Sequence, residues 1–117
     1  MKRLASNEDF RRVYAAGKVQ YGRYVVVTAL PVDEDLVRVG FSVSKKIGNA
    51  VTRNRIKRRL REIVREVSEE LCPGHYIVVG AKRSSTNASF AQLRTDLFRA
   101  MQGLGCFERT IGGGERA

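Results

Sequence analysis

Apolar positions along the chain change rhythm several times, and each rhythm points to an element. Phe10, Val13 and Tyr14 are spaced for one face of a helix. Ser6, followed three residues later by Asp9, resembles a capping box, and Gly17 supplies a stop, so a helix is predicted over 6–16. Residues 24–30 are apolar and β-branched up to Pro31 and read as a strand, with room for a short extra strand near 18–21. After the turn Asp33-Glu34-Asp35, residues 36–44 alternate with period two, which puts Val37, Val39, Phe41 and Val43 on one face. The two strands together read as an antiparallel hairpin.

The longest element is predicted over 49–71, with Gly48 as the turn and Asn49 as N-cap. Ile56, Leu60, Ile63, Val64, Val67 and Leu71 recur at helical spacing as one apolar stripe. Pro73-Gly74 breaks the chain. Residues 75–81 are almost continuously apolar and read as a central strand, 82–88 as a polar loop, and 89–104 as a last helix. In that helix Phe90, Leu93, Leu97, Met101 and Leu104 face inward. The order α-β-β-α-β-α predicts a two-layer α+β or α/β sandwich, one domain over 1–107 with a frayed tail over 108–117. The unit from the second strand through the long helix to the third strand suits a parallel crossover, which pattern rules make right-handed.

Composition sharpens this picture at one place. The 117 residues carry 22 Lys and Arg against 12 Asp and Glu, a net charge of +10. Eight of the basic residues stand between Lys45 and Arg61 with no acidic residue among them. The other hundred positions, with 14 basic and 12 acidic residues, are nearly neutral at +2. The charge is a patch, and a patch of one sign calls for a polyanionic partner.

Several function classes drop out. No apolar run approaches the ~18 residues of a membrane span. The opening Met1-Lys2-Arg3-Leu4 leads straight into polar Ser6-Asn7-Glu8-Asp9, unlike a signal peptide, so a cytoplasmic protein without membrane association is expected. Cys72 and Cys106 lack Cys-x-x-Cys spacing, and His75 is the single histidine; the chain has neither a zinc-type ligand set nor a nucleophile with a histidine partner. The two thiols are expected to be reduced.

A charged run is ordinarily a solvated helix face, but this one breaks helix rules together. Asn54, Arg58, Arg61 and Arg65 form a stripe about 16 Å long opposite the apolar one, at 1.5 Å per residue. Arg53 and Arg55 crowd the N-terminal turns while Glu66, Glu69 and Glu70 sit at the far end, against the helix dipole, at ~0.3–1 kcal/mol each. The like-charge pairs Arg53/Lys57, Arg55/Arg59 and Lys57/Arg61 cost ~0.2–0.5 kcal/mol more apiece. Local rules broken in concert mark a functional surface. Arginine outnumbers lysine six to one in the helix, and its planar fork favours phosphate and bases over a purely electrostatic membrane role.

The run Ser42-Val43-Ser44-Lys45-Lys46-Ile47-Gly48-Asn49-Ala50-Val51-Thr52-Arg53-Asn54-Arg55-Ile56-Lys57-Arg58 closely resembles the signature of the protein subunit of bacterial ribonuclease P. Weaker likenesses at Asn7-Glu8-Asp9-Phe10, Arg38-Val39-Gly40 and Ser89-Phe90-Ala91-Gln92-Leu93 extend the resemblance over about residues 3–104. The resemblance implies a left-handed β-α-β crossover, against the pattern-based default. It implies partnership with a catalytic RNA and with the 5′ leader of precursor tRNA, and no obligate protein partner is evident. The RNA, with magnesium bound chiefly by RNA and substrate, would hydrolyse the phosphodiester, making this chain the non-catalytic subunit of an endonuclease.

Carried over by position, the resemblance assigns RNA contact to Lys45, Lys46, Asn49, Arg53, Asn54, Arg55, Lys57, Arg58, Arg61 and Arg65. For Asn49 an N-cap is the equal alternative. It assigns a leader-binding cleft to Phe10, Tyr14, Val26 and Thr28; Phe10 has core packing as its alternative, and Thr28 departs from the aromatic residue the resemblance leads one to expect. Lys82 and Arg83 extend the basic surface. A ribosomal or RNA-chaperone-like module fits the composition equally well, and only the motif separates the two. A self-contained nuclease would need its own acid, base or metal carboxylates, and no catalytic residue is assigned.

Overall fold

The structure, a computed structural model, describes residues 1–108, so the tail expected over 108–117 lies outside the described residues from position 109 on. Helix α1 (Asn7–Ala16) begins where Ser6 accepts hydrogen bonds from the Glu8 and Asp9 N–H groups at 3.2 and 3.4 Å. Gly17 ends it in an extended conformation (φ −78°), and its value lies in close approach. A Cβ there would stand 2.6 Å from the Val13 carbonyl oxygen and 2.8 Å from Thr28 Cγ2. Helix α2 (Ala50–Glu66) is shorter than the apolar stripe suggested; it stops at Val67 (φ −116°), and a 3-10 turn over Ser68–Glu70 carries Leu71 into the core. Helix α3 (Phe90–Gly103) opens on a reciprocal capping box between Ser89 and Gln92.

Five strands make one sheet: β1 (Lys2–Arg3), β2 (Lys18–Tyr21), β3 (Val25–Pro31), β4 (Val37–Ser42) and β5 (His75–Ala81), in the spatial order β1-β4-β5-β3-β2. The extra strand at 18–21 is present, and β1 had no sequence signal. The expected hairpin between the two longer strands does not form. β5 lies between them, antiparallel to β3 (Val27↔Val79) and parallel to β4 (Val39↔Ile77). Alternation fixes the face a side chain takes but not which strand lies alongside, and the doubly buried β5 needs a partner on each edge. The hairpin is instead β2–β3, closed by the Gly22 N–H donating to the Val25 carbonyl at 2.8 Å.

The handedness of the β4-α2-β5 crossover follows from one hydrogen bond. Val39 shares a core with Ile56, Leu60 and Ile63 of α2, so its side chain faces that helix. The Leu4 N–H donates to the Val39 carbonyl, so the peptide edge of Val39 turns toward β1. In an upward strand of L-residues, a side chain facing the viewer puts its own N–H and C=O on the right. Seen from the α2 side, β1 is therefore to the right of β4 and β5 to the left. The crossover is left-handed, against the ~98% preference for the other hand.

The sheet and the α2/α3 layer form the expected sandwich around Val25, Val27, Val39, Ile77 and Val79. Across the opposite face, α1 covers only part of the sheet, packing Val13 and Phe10 on Tyr76, Val78 and Leu4. After α3 the chain is fastened to the segment that follows α2. The Cys72 N–H donates to the Cys106 carbonyl at 2.7 Å, Glu108 N–H to Glu70 at 2.9 Å, and Leu71 pairs with Phe107.

Candidate RNA interface

The expected N-cap of α2 is observed: the Asn49 side-chain oxygen accepts from the Thr52 N–H at 2.9 Å. Ile56, Leu60, Ile63 and Val64 are buried, while Asn54, Arg58, Arg61 and Arg65 line the exposed face. Arg53 is half-buried and donates to the Gly48 carbonyl at 3.3 Å, so it braces the turn it follows. Arg55 is exposed and Lys57 half-buried on the flanks. Among the described residues the ion pairs are Arg12–Asp9, Arg38–Glu34 and Arg94–Glu66, and none draws on a cation between Lys45 and Arg65. Among the described residues the cations of this helix therefore stand outside any ion pair, with Glu62 and Glu66 as the only acidic residues of α2.

Strand register defines a second feature, on the α1 face of the sheet. Gly40, Val78, Thr28 and Val19 form one row across four strands; Ser42, Gly80, Val26 and Tyr21 form the next. Helix α1 lies over the first row. Phe10 sits on Gly40, where a Cβ would be 2.5 Å from its ring, and Gly17 sits on Thr28. The second row is open. A Cβ at Gly80 would meet only backbone, the Val26 and Ser42 carbonyls at 3.5 and 3.6 Å. Arg12 reaches over the Tyr76 ring at 5.7 Å, and Tyr14, about 200° round the helix from it, stands on the flank above the open row. The result is a trough walled by Phe10 and Tyr14, whose rings lie 6.5 Å apart.

This places the four expected cleft residues unequally. Phe10 is half-buried, with one face in the small core beneath α1; Tyr14 is 53% exposed. Val26 lies in the open floor. Thr28 points to the same side but is only 3% exposed beneath Gly17, so its side chain offers a base no surface.

Basic residues gather at one end of the trough, because β4 and β5 end there and β3 begins there. Lys45 and Lys46 follow β4, Lys82 and Arg83 follow β5, and Arg23 precedes β3. The 3-10 turns Lys45–Ile47 and Arg83–Asn87 pack together. The Lys82 ammonium donates to the Gly22 carbonyl at 2.8 Å, and Ser84 donates to the Arg23 carbonyl at 2.8 Å. Underneath, the buried Asp96 carboxylate of α3 accepts from the Arg23, Tyr24 and Val25 N–H groups at 2.8, 2.7 and 3.1 Å. Gly22 is required beside it, since a Cβ would fall 2.4 Å from Asp96 Oδ2. Asp96 thus fixes the turn that presents Tyr21 and Arg23. No local pattern in the sequence marks a carboxylate whose partners are some seventy positions away.

A trough with an aromatic wall and a cationic end, joined to an arginine-rich helix, has the chemistry that single-stranded nucleic acid calls for. The profile of the family described as Ribonuclease P matches residues 1–105. The chain belongs to that family. It is 43% identical over 93 residues to the ribonuclease P protein component of Clostridioides difficile, spanning 79% of this chain and 82% of that one. The ribonuclease P protein of Staphylococcus aureus superposes with a TM-score of 0.85 at 32% identity, covering 92% and 99% of the two chains. That of Thermotoga maritima gives 0.76 at 30% identity, covering 85% and 94%.

Within this ribonuclease P frame, two exposed residues of the surface escaped the sequence reading. Tyr21 is 69% exposed in the trough floor, and Val51 is 75% exposed in the first turn of α2. Period-two alternation in Lys18-Val19-Gln20-Tyr21 was the signal for Tyr21, but only the register with β3 places it beside Val26.

Proposed function

We propose that this chain, as the protein subunit of ribonuclease P, holds the 5′ leader of precursor tRNA in the trough beside α1 while α2 engages the catalytic RNA. Membership of the family makes it a component of an endoribonuclease that processes tRNA. The observation that carries the finer reading is the junction of two surfaces: the open row ending in Tyr21 meets the basic end from which α2 departs. A leader strand lying in the trough stacks bases on Tyr14 and Tyr21, and its phosphates run toward Lys82, Lys45 and the start of α2. Stacking is tolerant of base identity, which suits a leader of variable sequence.

On this reading the RNA performs the hydrolysis. Among the described residues no three His, Cys, Asp or Glu side chains come together to hold a metal ion, and the surface facing RNA is cationic. Magnesium therefore fits the phosphates of the RNA and substrate better than any group among the described residues. What the arginines do is neutralise phosphates at the junction, so that two polyanions approach at lower electrostatic cost and retain their divalent ions. A ribosomal or chaperone-like role is not favoured, since the family match spans the whole domain.

The test is reconstitution with a bacterial ribonuclease P RNA at low magnesium. Added protein is expected to restore cleavage of precursor tRNA, and protein without RNA to leave it intact. Cleavage at the mature 5′ end by the protein alone would overturn the division of labour.

A further inference from the structure

The short strand β1 covers the edge of β4 only at Arg38 and Val39, and the chain then turns into the core at Leu4. Beyond that point a cavity of 530 Å³ opens between the N-terminus, α1 and the outer flank of α2. Its size falls within the ~300–1,000 Å³ of small-ligand sites. Leu4, Phe10 and Phe41 supply apolar surface, and Gly40 lets the Phe10 ring lie directly on the strand. Five cations line it: Lys2 and Arg3 from β1, and Lys57, Arg61 and Arg65 from α2. No acidic residue lines it, and none of the five enters an ion pair among the described residues. The Arg61 guanidinium carbon stands 5.8 Å from the centre of the Phe41 ring, so charge and aromatic face already adjoin.

Five cations outside any ion pair among the described residues call for an anion, and aromatic walls call for a flat apolar group. A nucleotide is both. We propose that this cavity is a pocket for one unpaired nucleotide of the RNA partner, its base against Phe10 and Phe41 and its phosphates between β1 and α2. The inference rests on the RNA-binding reading above and adds the N-terminal strand, with Lys2, Arg3 and Phe41, to the interface. It also gives β1 a function: two residues of pairing hold two cations opposite those of α2. A duplex offers the pocket no free base, so the site selects single-stranded or extruded nucleotides.

The experiment is an NMR titration of the full chain with adenosine 5′-monophosphate, with a short single-stranded oligoadenylate, and with inorganic phosphate. Nucleotide and oligonucleotide are expected to shift the amides of Leu4, Gly40 and Phe41, and phosphate to leave Gly40 and Phe41 unmoved. Equal shifts from phosphate would reduce the site to an anion sink and overturn the proposal. Oligonucleotide shifts confined to residues 53–58 would overturn it too while leaving RNA binding by α2 standing. No shift on either element would defeat the RNA-binding reading itself. As an independent measure, Lys2→Ala combined with Arg3→Ala should flatten the log–log salt dependence of oligonucleotide binding by about 1.4, at ~0.7 per phosphate contact. An unchanged slope in a variant with an unchanged melting temperature would sink the assignment of β1.

Discussion

Thr28 and Tyr21 point to the same side of the sheet, yet one lies beneath Gly17 and the other at the open edge. The difference is made by α1, which crosses the face along the row of Gly40 and Thr28 and leaves the row of Ser42, Gly80 and Tyr21 bare. Tyr21 therefore supplies the aromatic surface that Thr28 lacks. Tyr21→Ala is expected to weaken precursor tRNA binding by ~1–3 kcal/mol, the range for one stacked base, while Tyr21→Phe retains most of it. The affinity loss should vanish on substrates trimmed of their leader; a loss independent of leader length would remove Tyr21 from the leader path. At this scale the sequence carried the identity of the arginines and of Phe10 and Tyr14, because motif and helical spacing are local. It did not carry Tyr21 or Asp96, whose roles depend on cross-strand register and on contacts from α3.

Helix α2 is the element in which a buried apolar face and an exposed basic face are most cleanly separated by angle. Leu60 is fully buried between the sheet and α3, whereas Arg58 is exposed and takes no part in the observed ion pairs. Leu60→Ala should cost ~2–5 kcal/mol through an unfilled cavity, measured by denaturant unfolding. Arg58→Ala should leave unfolding nearly unchanged and weaken binding to the catalytic RNA. Equal loss of stability in both would contradict the assignment of faces. The buried and exposed faces are legible in the sequence, since a period of 3.6 repeated over seventeen residues leaves little freedom. The strand order was not readable. Residues 36–44 alternate equally well beside β3 or β5, and the decision belongs to β5, which fills the centre because both its faces are apolar. Left-handedness likewise has no local signature; it came only from resemblance.

On the scale of the molecule, the net charge of +10 sits on a scaffold with a largely apolar core, and the two respond differently to pH. The chain after α3 is fastened through Cys106, whose thiol is pushed up to about 12, first by burial and then by the nearby Cys72. Unfolded, a thiol titrates at roughly 8.5. The folded state thus keeps a proton that the unfolded state gives up as pH rises past that value. The stability contributed by the neutral thiol is complete below about pH 8.5 and is lost at up to ~1.4 kcal/mol per pH unit toward pH 12. Tyr76, raised above its ordinary value by burial and by Glu34 beside it, acts in the same direction, its stabilisation being lost as pH rises. Denaturant unfolding under reducing conditions should show the fall beginning near pH 9, and Cys106→Ala should flatten its lower part while leaving the tyrosine portion. Arginine stays charged throughout that range. RNA affinity of the folded protein should therefore hold while its stability declines. If affinity and stability instead fell together from pH 9, the interface would depend on the C-terminal fastening, and scaffold and charge would not be separable.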